Sequence, residues 1–219
     1  MSVAPQHNKT RFDRKEIKYP FMQMGYGQQE KGTRLQLFED MAEGKYDDKT
    51  FDIFIQAIND VVPGFIQIME FVNDLWNKDW LEVTWYMPDG FKVSCKPTSS
   101  YWEDFILFDK IKVKAKVSGV RKEKQALILY VGFIHAVDAY IARQMVIRCP
   151  FDILTIHDAF RCHPNNAQTM KQIYREILAD INDVPLFESF LQQITGSGVS
   201  PITGNLTRQD IMESQYAIC

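Results

Sequence analysis

This 219-residue sequence has few cysteines and no long apolar run, which are features of disulfide-rich, zinc-binding and membrane proteins. There are four cysteines and none forms a Cys-x-x-Cys pair, which argues against a disulfide framework or a cysteine zinc site and fits a reducing compartment. No run approaches the roughly 18 apolar residues of a membrane-spanning helix, and the N-terminal residues lack an apolar signal-peptide core. We therefore expect a cytoplasmic protein without membrane association.

An excess of basic residues is also absent overall, because the formal net charge is −3. One stretch departs from this average, since residues 105–124 contain seven Lys or Arg and two Asp or Glu. Within it, "KIKVKAKV" alternates lysines with apolar residues, which predicts a strand with its apolar side inward and four lysines outward: Lys110, Lys112, Lys114 and Lys116. The lysines either protect a sheet edge from aggregation or contact a phosphate backbone.

Hydrophobic periodicity and turn residues predict a mixed α+β chain. A polar leader at 1–10 precedes helices, and the later half combines strand–turn–strand segments with further helices. The predicted elements are helices at 12–25 (containing Pro20) and 34–44; two packed helices within 48–80; a hairpin at 81–95; a loop at 96–104; a segment at 126–147 that begins extended and becomes helical near His135; a hairpin at 151–163; and helices at 165–182 and 185–194.

The stretch "FDILTIHDAF" places a charged residue, Asp158, directly after an apolar run that is typical of a buried strand. A carboxylate left unpaired in a low-dielectric site costs several kcal/mol, so Asp158 requires a partner there. A neighbouring basic side chain, a turn, or a divalent metal held where the hairpin turns would each satisfy it.

A second stretch, "RKEIKYPFMQMGYG", has the composition of a polyphosphate site. Arg14 and Lys18 are four residues apart and lie on one face of a helix. Arg can bind phosphate oxygens through two N–H groups, and Lys adds a compact charge. Tyr26 offers a flat stacking surface beside Gly27, where another chain can approach closely. A solvated helix face would have the same spacing.

Taken together, these stretches resemble motifs of the single-subunit, bacteriophage-type DNA-dependent RNA polymerases. That family carries R-x3-K-x7-Y-G on a fingers helix and H-D-S or H-D-A at a palm hairpin. Three further segments resemble the family in the right order: "WYMPDGF" (85–91), "FIHAVDA" (133–139) and the C-terminal "GNLTRQDIMESQYAIC". The resemblance covers about residue 11 to Cys219. It implies a right-hand polymerase fold with helical fingers at 11–80, a hairpin and specificity-loop-like insertion at 81–125, and a palm at 126–219.

The resemblance implies a role for each matched residue in template-directed RNA synthesis. Asp158 would bind catalytic Mg²⁺, while Arg14 and Lys18 would hold the triphosphate of the incoming NTP. Tyr26, followed by Gly27, would sense the sugar and help to gate entry of the next template base.

The two histidines of the matched motifs would contact nucleic acid. His135 would meet a 2′-hydroxyl or the minor groove near the active site. His157 would have a structural or primer-contacting role, because Mg²⁺ prefers oxygen ligands. Residues 96–121 occupy the place of the family's promoter-reading specificity hairpin, although their sequence does not match it.

One departure from the family concerns the first palm motif, which carries the other metal-binding aspartate. Nothing here matches it, since "YDDKTFD" (46–52) follows the fingers helix and lacks the glycines. We also expect the chain to lack the thumb and N-terminal domain of the family. Because the chain opens with Met1, we expect the catalytic part of a naturally split phage polymerase, active in the bacterial cytoplasm with a second subunit, a DNA template, NTPs and the RNA product.

Three other functions share some of these features. A family A DNA polymerase has the same fingers spacing but usually carries H-D-E at the palm turn, where this chain has Ala159. A non-catalytic DNA-binding subunit could retain a relic palm, although no binding role needs Arg14, Lys18, Tyr26 and Asp158 together. A metal-dependent HD phosphohydrolase needs further histidine and aspartate ligands.

Overall fold

The computed structural model describes residues 14–26, 48–77, 79–96, 98–120, 125–198 and 204–214. Within these ranges the chain combines α-helices with three two-stranded antiparallel sheets, so the predicted α+β class is confirmed. The chain divides into two compact units, Met1–Phe71 and Val72–Cys219. The assignment of fingers and palm to segments of the chain stays a prediction. The predicted leader at 1–10 and helix at 34–44 lie outside the described residues.

Helices form the described part of the first unit. They are α1 (Arg14–Gly25), α2 (Asp48–Val61) and α3 (Pro63–Leu75), whose last residues belong to the second unit. The two helices predicted within 48–80 are confirmed, and they separate before Pro63 because proline disfavours a helical residue before it but suits the first position of a helix. The core of this unit consists of Phe51, Phe54 and Ile58 on α2, against which Ile17 and Met24 pack from α1.

No single helix in the described ranges is long and apolar enough to cross a membrane. A bent pair, Lys49–Val61 with Ile66–Leu75, reaches the required length and composition only when the two segments are taken together.

The first hairpin of the second unit pairs β1 (Val83–Tyr86) with β2 (Lys92–Cys95). Gly90 adopts φ +77° in the connecting turn, where a residue without Cβ is favoured. The N–H of Gly90 donates to the carbonyl of Met87 over 2.8 Å, and Met87 N–H donates to the carbonyl of Phe91 over 3.0 Å. The hairpin predicted at 81–95 is therefore confirmed.

The segment predicted to begin extended is helical from its start, so that prediction is wrong. Helix α4 runs from Gln125 to Arg148. Its first turns contact β2, where a Cβ on Gly132 would lie 3.3 Å from Sγ of Cys95. Glycine therefore lets the helix approach the hairpin closely.

An aromatic cluster holds the first hairpin between two helices. Helix α5 (Ala167–Asp183) is followed by α6 (Leu186–Thr195), which packs on β1. The Trp85 ring lies edge-on to the Phe190 ring of α6, with centroids 5.0 Å apart. The centroid of the Phe133 ring of α4 lies 4.7 Å from that of Phe190. These buried rings fix β1 relative to both helices.

The C-terminal motif forms α7 (Arg208–Glu213), which packs on α5. Thr207 and Asp210 form a reciprocal capping box at its start. Arg208 donates to Asp180 over 2.9 Å and to Asp183 over 2.6 Å, and Asp180 also accepts from Arg148 of α4. This network ties the C-terminal helix to the two longest helices of the second unit.

The basic stretch forms a long ribbon, in which β3 (Thr98–Leu107) pairs with β4 (Ile111–Val120). The predicted strand is confirmed, but the loop predicted at 96–104 is wrong, because most of it belongs to β3. The apolar side is not buried either, since Ile111 and Val113 are exposed. Three of the four lysines are exposed on β4, namely Lys112, Lys114 and Lys116. The fourth, Lys110, lies in the turn before this strand.

Candidate active site

The candidate catalytic carboxylate lies at the tip of a short hairpin, as the sequence predicts. Strand β5 (Leu154–Ile156) pairs with β6 (Ala159–Arg161), and His157 and Asp158 form the two-residue turn between them. The prediction of a buried strand before Asp158 is wrong, because Leu154 is 56% exposed and Asp158 itself is exposed. The carboxylate therefore faces solvent or a bound group and does not require an ion-pair partner for burial.

Apolar residues flanking the turn anchor the hairpin. Ile153 and Phe160 pack against a core cluster of Met145 on α4 with Ile173 and Ile177 on α5. The packing fixes the base of the hairpin, so that its tip projects from a rigid support.

Three acidic groups from different elements are near enough to influence one another. The pKa of Asp138 on α4 is raised, first by burial and also by the charge of Asp158, while His135 acts in the opposite direction. Burial also raises the pKa of Tyr174 on α5, with further contributions from Asp138 and Asp158. The fold therefore brings the H-D turn together with His135, two motifs that are more than twenty residues apart in the sequence.

Asp138 was not predicted as a site residue, although it lies in the quoted segment "FIHAVDA". Its position three residues after His135 was the available signal, because residues three apart lie on one face of a helix. That signal required the segment to be recognised as helical throughout, whereas its first part was expected to be extended.

A charged contact joins the turn of the first hairpin to α4. Arg143 donates from Nε to Oδ2 of Asp89 over 2.6 Å and from its second terminal nitrogen to Oδ1 over 3.1 Å. Its guanidinium also lies 4.2 Å from the centroid of the Phe91 ring. The "PDGF" motif thus supplies a charge pair and a stacking surface that position the hairpin.

A largely apolar groove of about 670 Å³ lies between β2 and α4. His135 and Arg143 lie at this groove, together with Gly132 and Cys95. Burial raises the pKa of the Cys95 thiol to about 11, and the thiol donates to the carbonyl of Ile128 over 3.5 Å. Cys95 is therefore a packing residue rather than a nucleophile.

The predicted nucleotide-binding residues belong to the other compact unit. Arg14 is the first residue of α1, and Lys18 is exposed on the same helix, with Nζ 5.9 Å from the centroid of the Tyr19 ring. Tyr26 follows the end of the helix, where its N–H donates to the carbonyl of Met22 over 3.1 Å. The side chain of Arg14 and the whole of Gly27 lie outside the described residues.

Metal-binding capacity within the second unit is limited. Among the described residues, no group of three or more His, Cys, Asp or Glu side chains is arranged to hold a metal ion. Asp158 offers the carboxylate oxygen that Mg²⁺ prefers, and an exposed position that leaves room for ligands from elsewhere.

Comparison with known proteins agrees with the motifs on this hairpin and on α1. Residues 2–216 match the family model for DNA-dependent RNA polymerase. No curated protein matches the sequence. Because the family match extends over nearly the whole chain, the protein belongs to the phage-type DNA-dependent RNA polymerase family.

Proposed function

We propose that this chain is the catalytic part of a split DNA-dependent RNA polymerase of phage type, with right-hand fingers and palm. Family membership implies a nucleotidyltransferase that acts on a DNA template and NTPs. The observation that carries the catalytic assignment is the position of Asp158. Its carboxylate is exposed at the tip of a packed hairpin and interacts electrostatically with Asp138 beside His135.

Asp158 would hold Mg²⁺ at the hairpin tip. Carboxylate oxygen is the donor this ion prefers, and the neighbouring His157 is a poor ligand for it. When bound, Mg²⁺ supplies Lewis-acid stabilisation of the charge that develops during phosphoryl transfer. His157 would instead contact the primer end of the growing RNA.

The remaining site residues would bind and orient the substrates. The cations of Arg14 and Lys18 on α1 would neutralise the triphosphate of the incoming ribonucleotide. Tyr26, followed by Gly27, would contact the sugar and the entry path of the template base. His135, exposed on α4, would contact a 2′-hydroxyl or the minor groove.

A second chain would complete the active site. Two-metal phosphoryl transfer uses carboxylates on both sides of the ion pair, and the described residues contain no three-ligand cluster. Apolar side chains are also exposed near the end of α4, where Ile147 is 70% exposed, and on β5. A partner that covers them would supply the first palm aspartate and the thumb, in the cytoplasm of the bacterial host.

The function is tested by replacing Asp158 in the assembled enzyme. Asp158→Asn keeps the size of the side chain and removes its charge, so nucleotide addition should fall by orders of magnitude while DNA binding is retained. Primer-extension rates and DNA affinity are measured on the same preparations.

A matched control for this experiment is Asp152→Asn, which changes another exposed aspartate six residues earlier. We expect the control to extend RNA at the rate of the unmodified enzyme. Near-normal extension by Asp158→Asn would eliminate the metal-binding role of that residue.

A further inference from the structure

Two cysteines lie at the base of the hairpin that presents Asp158, which we call the H-D hairpin (β5, β6 and the turn between them). Cys149 directly follows the last residue of α4, and Cys162 directly follows the last residue of β6. The chain between the two cysteines, residues 150–161, contains the whole H-D hairpin. A bond between the two sulfur atoms would therefore close a loop around it.

Packing holds both cysteines against the same core. Cys149 is half-buried and packs on the hydrophobic cluster that α4 and α5 share, and its N–H donates to the carbonyl of Met145 over 3.1 Å. Continuing the register of the H-D hairpin by one residue brings Cys162 opposite Ile153, which packs on the same cluster. The fold therefore brings the end of α4 and the end of β6 to one place.

The chain is held on both sides of Cys162. Phe160, two residues earlier, packs on the shared cluster, and its ring centroid lies 6.0 Å from that of Tyr174 on α5. On the other side, the His163 side chain caps a single helical turn, Pro164–Asn166, that leads directly into α5. Cys162 thus occupies a position that the fold defines.

The two thiols are free and close enough for the charge of one to act on the other. The pKa of Cys149 is raised, first by burial and also by the charge of Cys162. Both cysteines are half-buried, whereas Cys95 is buried and its thiol donates to the carbonyl of Ile128. A small oxidant in solution therefore has access to the pair but not to Cys95.

We propose that Cys149 and Cys162 form a reversible disulfide bond when the protein is exposed to hydrogen peroxide. The Cys162 thiolate attacks one peroxide oxygen, the O–O bond breaks, and a sulfenic acid forms as hydroxide leaves. The Cys149 thiolate then attacks that sulfur, the S–S bond forms and a second hydroxide leaves. Protons from the two thiols convert both hydroxides to water, so the thiols supply the two electrons that reduce the peroxide.

The order of these steps follows from the surroundings of Cys149. Its raised pKa keeps more of this thiol protonated, and the protonated form does not attack peroxide. Cys162 therefore reacts first, and Cys149 resolves the sulfenic acid.

The disulfide would also slow nucleotide addition, a consequence that rests on the proposed function. A disulfide brings two sulfur atoms closer than unbonded thiols can approach, so the H-D hairpin must shift relative to α4. Misplacing a catalytic group by about 1 Å can slow a reaction about a hundredfold. We expect oxidation to slow RNA extension by at least about tenfold, and dithiothreitol to restore it.

Peptide mapping tests the bond independently of catalysis. The full chain, alone and in the assembled enzyme, is treated with hydrogen peroxide, its remaining thiols are alkylated, and it is digested with trypsin. Trypsin cleaves after Arg148, Arg161 and Lys171, so the two cysteines fall in separate peptides, 149–161 and 162–171. We expect these peptides to be joined, with the mass of two hydrogen atoms missing, and to separate after reduction.

Variants that remove one partner test the link between the bond and the rate. Cys162→Ser and Cys149→Ala should each give no joined peptide and should keep most of their RNA extension rate after peroxide treatment. Cys219→Ser, which removes a thiol outside the closed loop, is the matched control. Its ratio of rates before and after oxidation should equal that of the unmodified enzyme.

The outcomes separate this proposal from the proposed function. The disulfide is ruled out if no joined peptide forms in the unmodified chain, or if either peptide is joined to one that contains Cys95 or Cys219. A joined peptide with an unchanged extension rate overturns the effect on catalysis. An assembly that makes no RNA in the reduced state counts against the proposed function, and peptide mapping still decides whether the disulfide forms.

Discussion

His157 adopts a backbone conformation that residues with side chains rarely use, because its φ is +55° in the turn that presents Asp158. Histidine tolerates this region better than β-branched residues do, but it still costs free energy relative to glycine. This backbone cost beside a candidate catalytic carboxylate points to a role for the imidazole, which can be tested.

Replacing His157 tests this interpretation. His157→Gly should raise the free energy of unfolding by about 0.5–1 kcal/mol, because glycine adopts positive φ readily, yet it should slow RNA extension by removing the imidazole. The measurements are urea unfolding of the chain and primer extension by the assembled enzyme.

The control variant His157→Asn keeps a polar side chain that also accepts positive φ, so its stability should remain close to that of the unmodified protein. A loss of more than about 1 kcal/mol in His157→Gly would mean that contacts of the imidazole, rather than backbone strain, dominate at this position.

Individual site residues were predictable where a short motif carries the chemistry. Asp158 was expected at a hairpin tip because its apolar run ends in a turn, and the structure has it there. Its exposure was not predictable, since the pattern of Ile153, Leu154 and Ile156 is that of a buried strand. Burial depends on which neighbours cover a strand, and a short segment does not specify them.

At the scale of elements, the contact between Arg143 and Asp89 joins α4 to the first hairpin. Both side chains are largely buried, with 26% and 14% exposed. The hydrogen bond from Arg143 holds the pKa of Asp89 below its ordinary value of 3.8, and the N–H of Phe91 acts in the same direction. A two-point charged contact of this kind positions the hairpin as well as stabilising it.

Asp89→Asn should reduce the free energy of unfolding by about 1–2 kcal/mol at neutral pH, because one charged hydrogen-bond partner is lost. The folded-state pKa is depressed, so the contribution of Asp89 is present above pH 3.8 and is lost as the pH falls through the lowered value. Urea unfolding midpoints of the two proteins should therefore converge as the pH is lowered.

Glu103→Gln, which alters an exposed carboxylate on the ribbon, is the control and should leave the midpoint unchanged at neutral pH. Equal midpoints for Asp89→Asn and the unmodified chain at neutral pH would show that the contact with Arg143 contributes nothing to stability.

Element types were predictable from periodicity except where tertiary contacts decide them. The start of α4 contains "ALILYV", which suits a strand, but Leu129 and Tyr130 are buried there in a continuous helix. A helix that is covered on more than one side loses the 3.6-residue pattern that would identify it. Strand β3 was predicted as a loop because its pairing with β4 is not visible in its own sequence.

At the scale of the whole molecule, exposed apolar side chains occur in a chain whose described residues contain no group of three metal-ligating side chains. Val146 and Ile147 near the end of α4 are exposed, as are Leu154 and Ile156 on β5. Exposed large apolar side chains of this kind can be covered by a partner chain. The partner proposed to cover these residues would also carry the proposed first palm aspartate.

We therefore expect the isolated chain to be inactive and the complex with the polypeptide that carries the first palm motif to synthesise RNA. The assay measures RNA synthesis on a single-stranded DNA template with Mg²⁺ and NTPs. The complex that contains Asp158→Asn sets the background. Robust synthesis by the chain alone would place both catalytic carboxylates within this sequence and remove the need for a second subunit.

Gln193 on α6 uses its side-chain amide to satisfy the backbone of Tyr86 at the end of β1. Its Oε1 accepts from the Tyr86 N–H over 2.7 Å, and its Nε2 donates to the Tyr86 carbonyl over 3.1 Å. These are the two hydrogen bonds that an additional strand would form at that residue. In the folded chain the first hairpin is thereby closed to strand addition at Tyr86, so this part of its edge offers no template for aggregation.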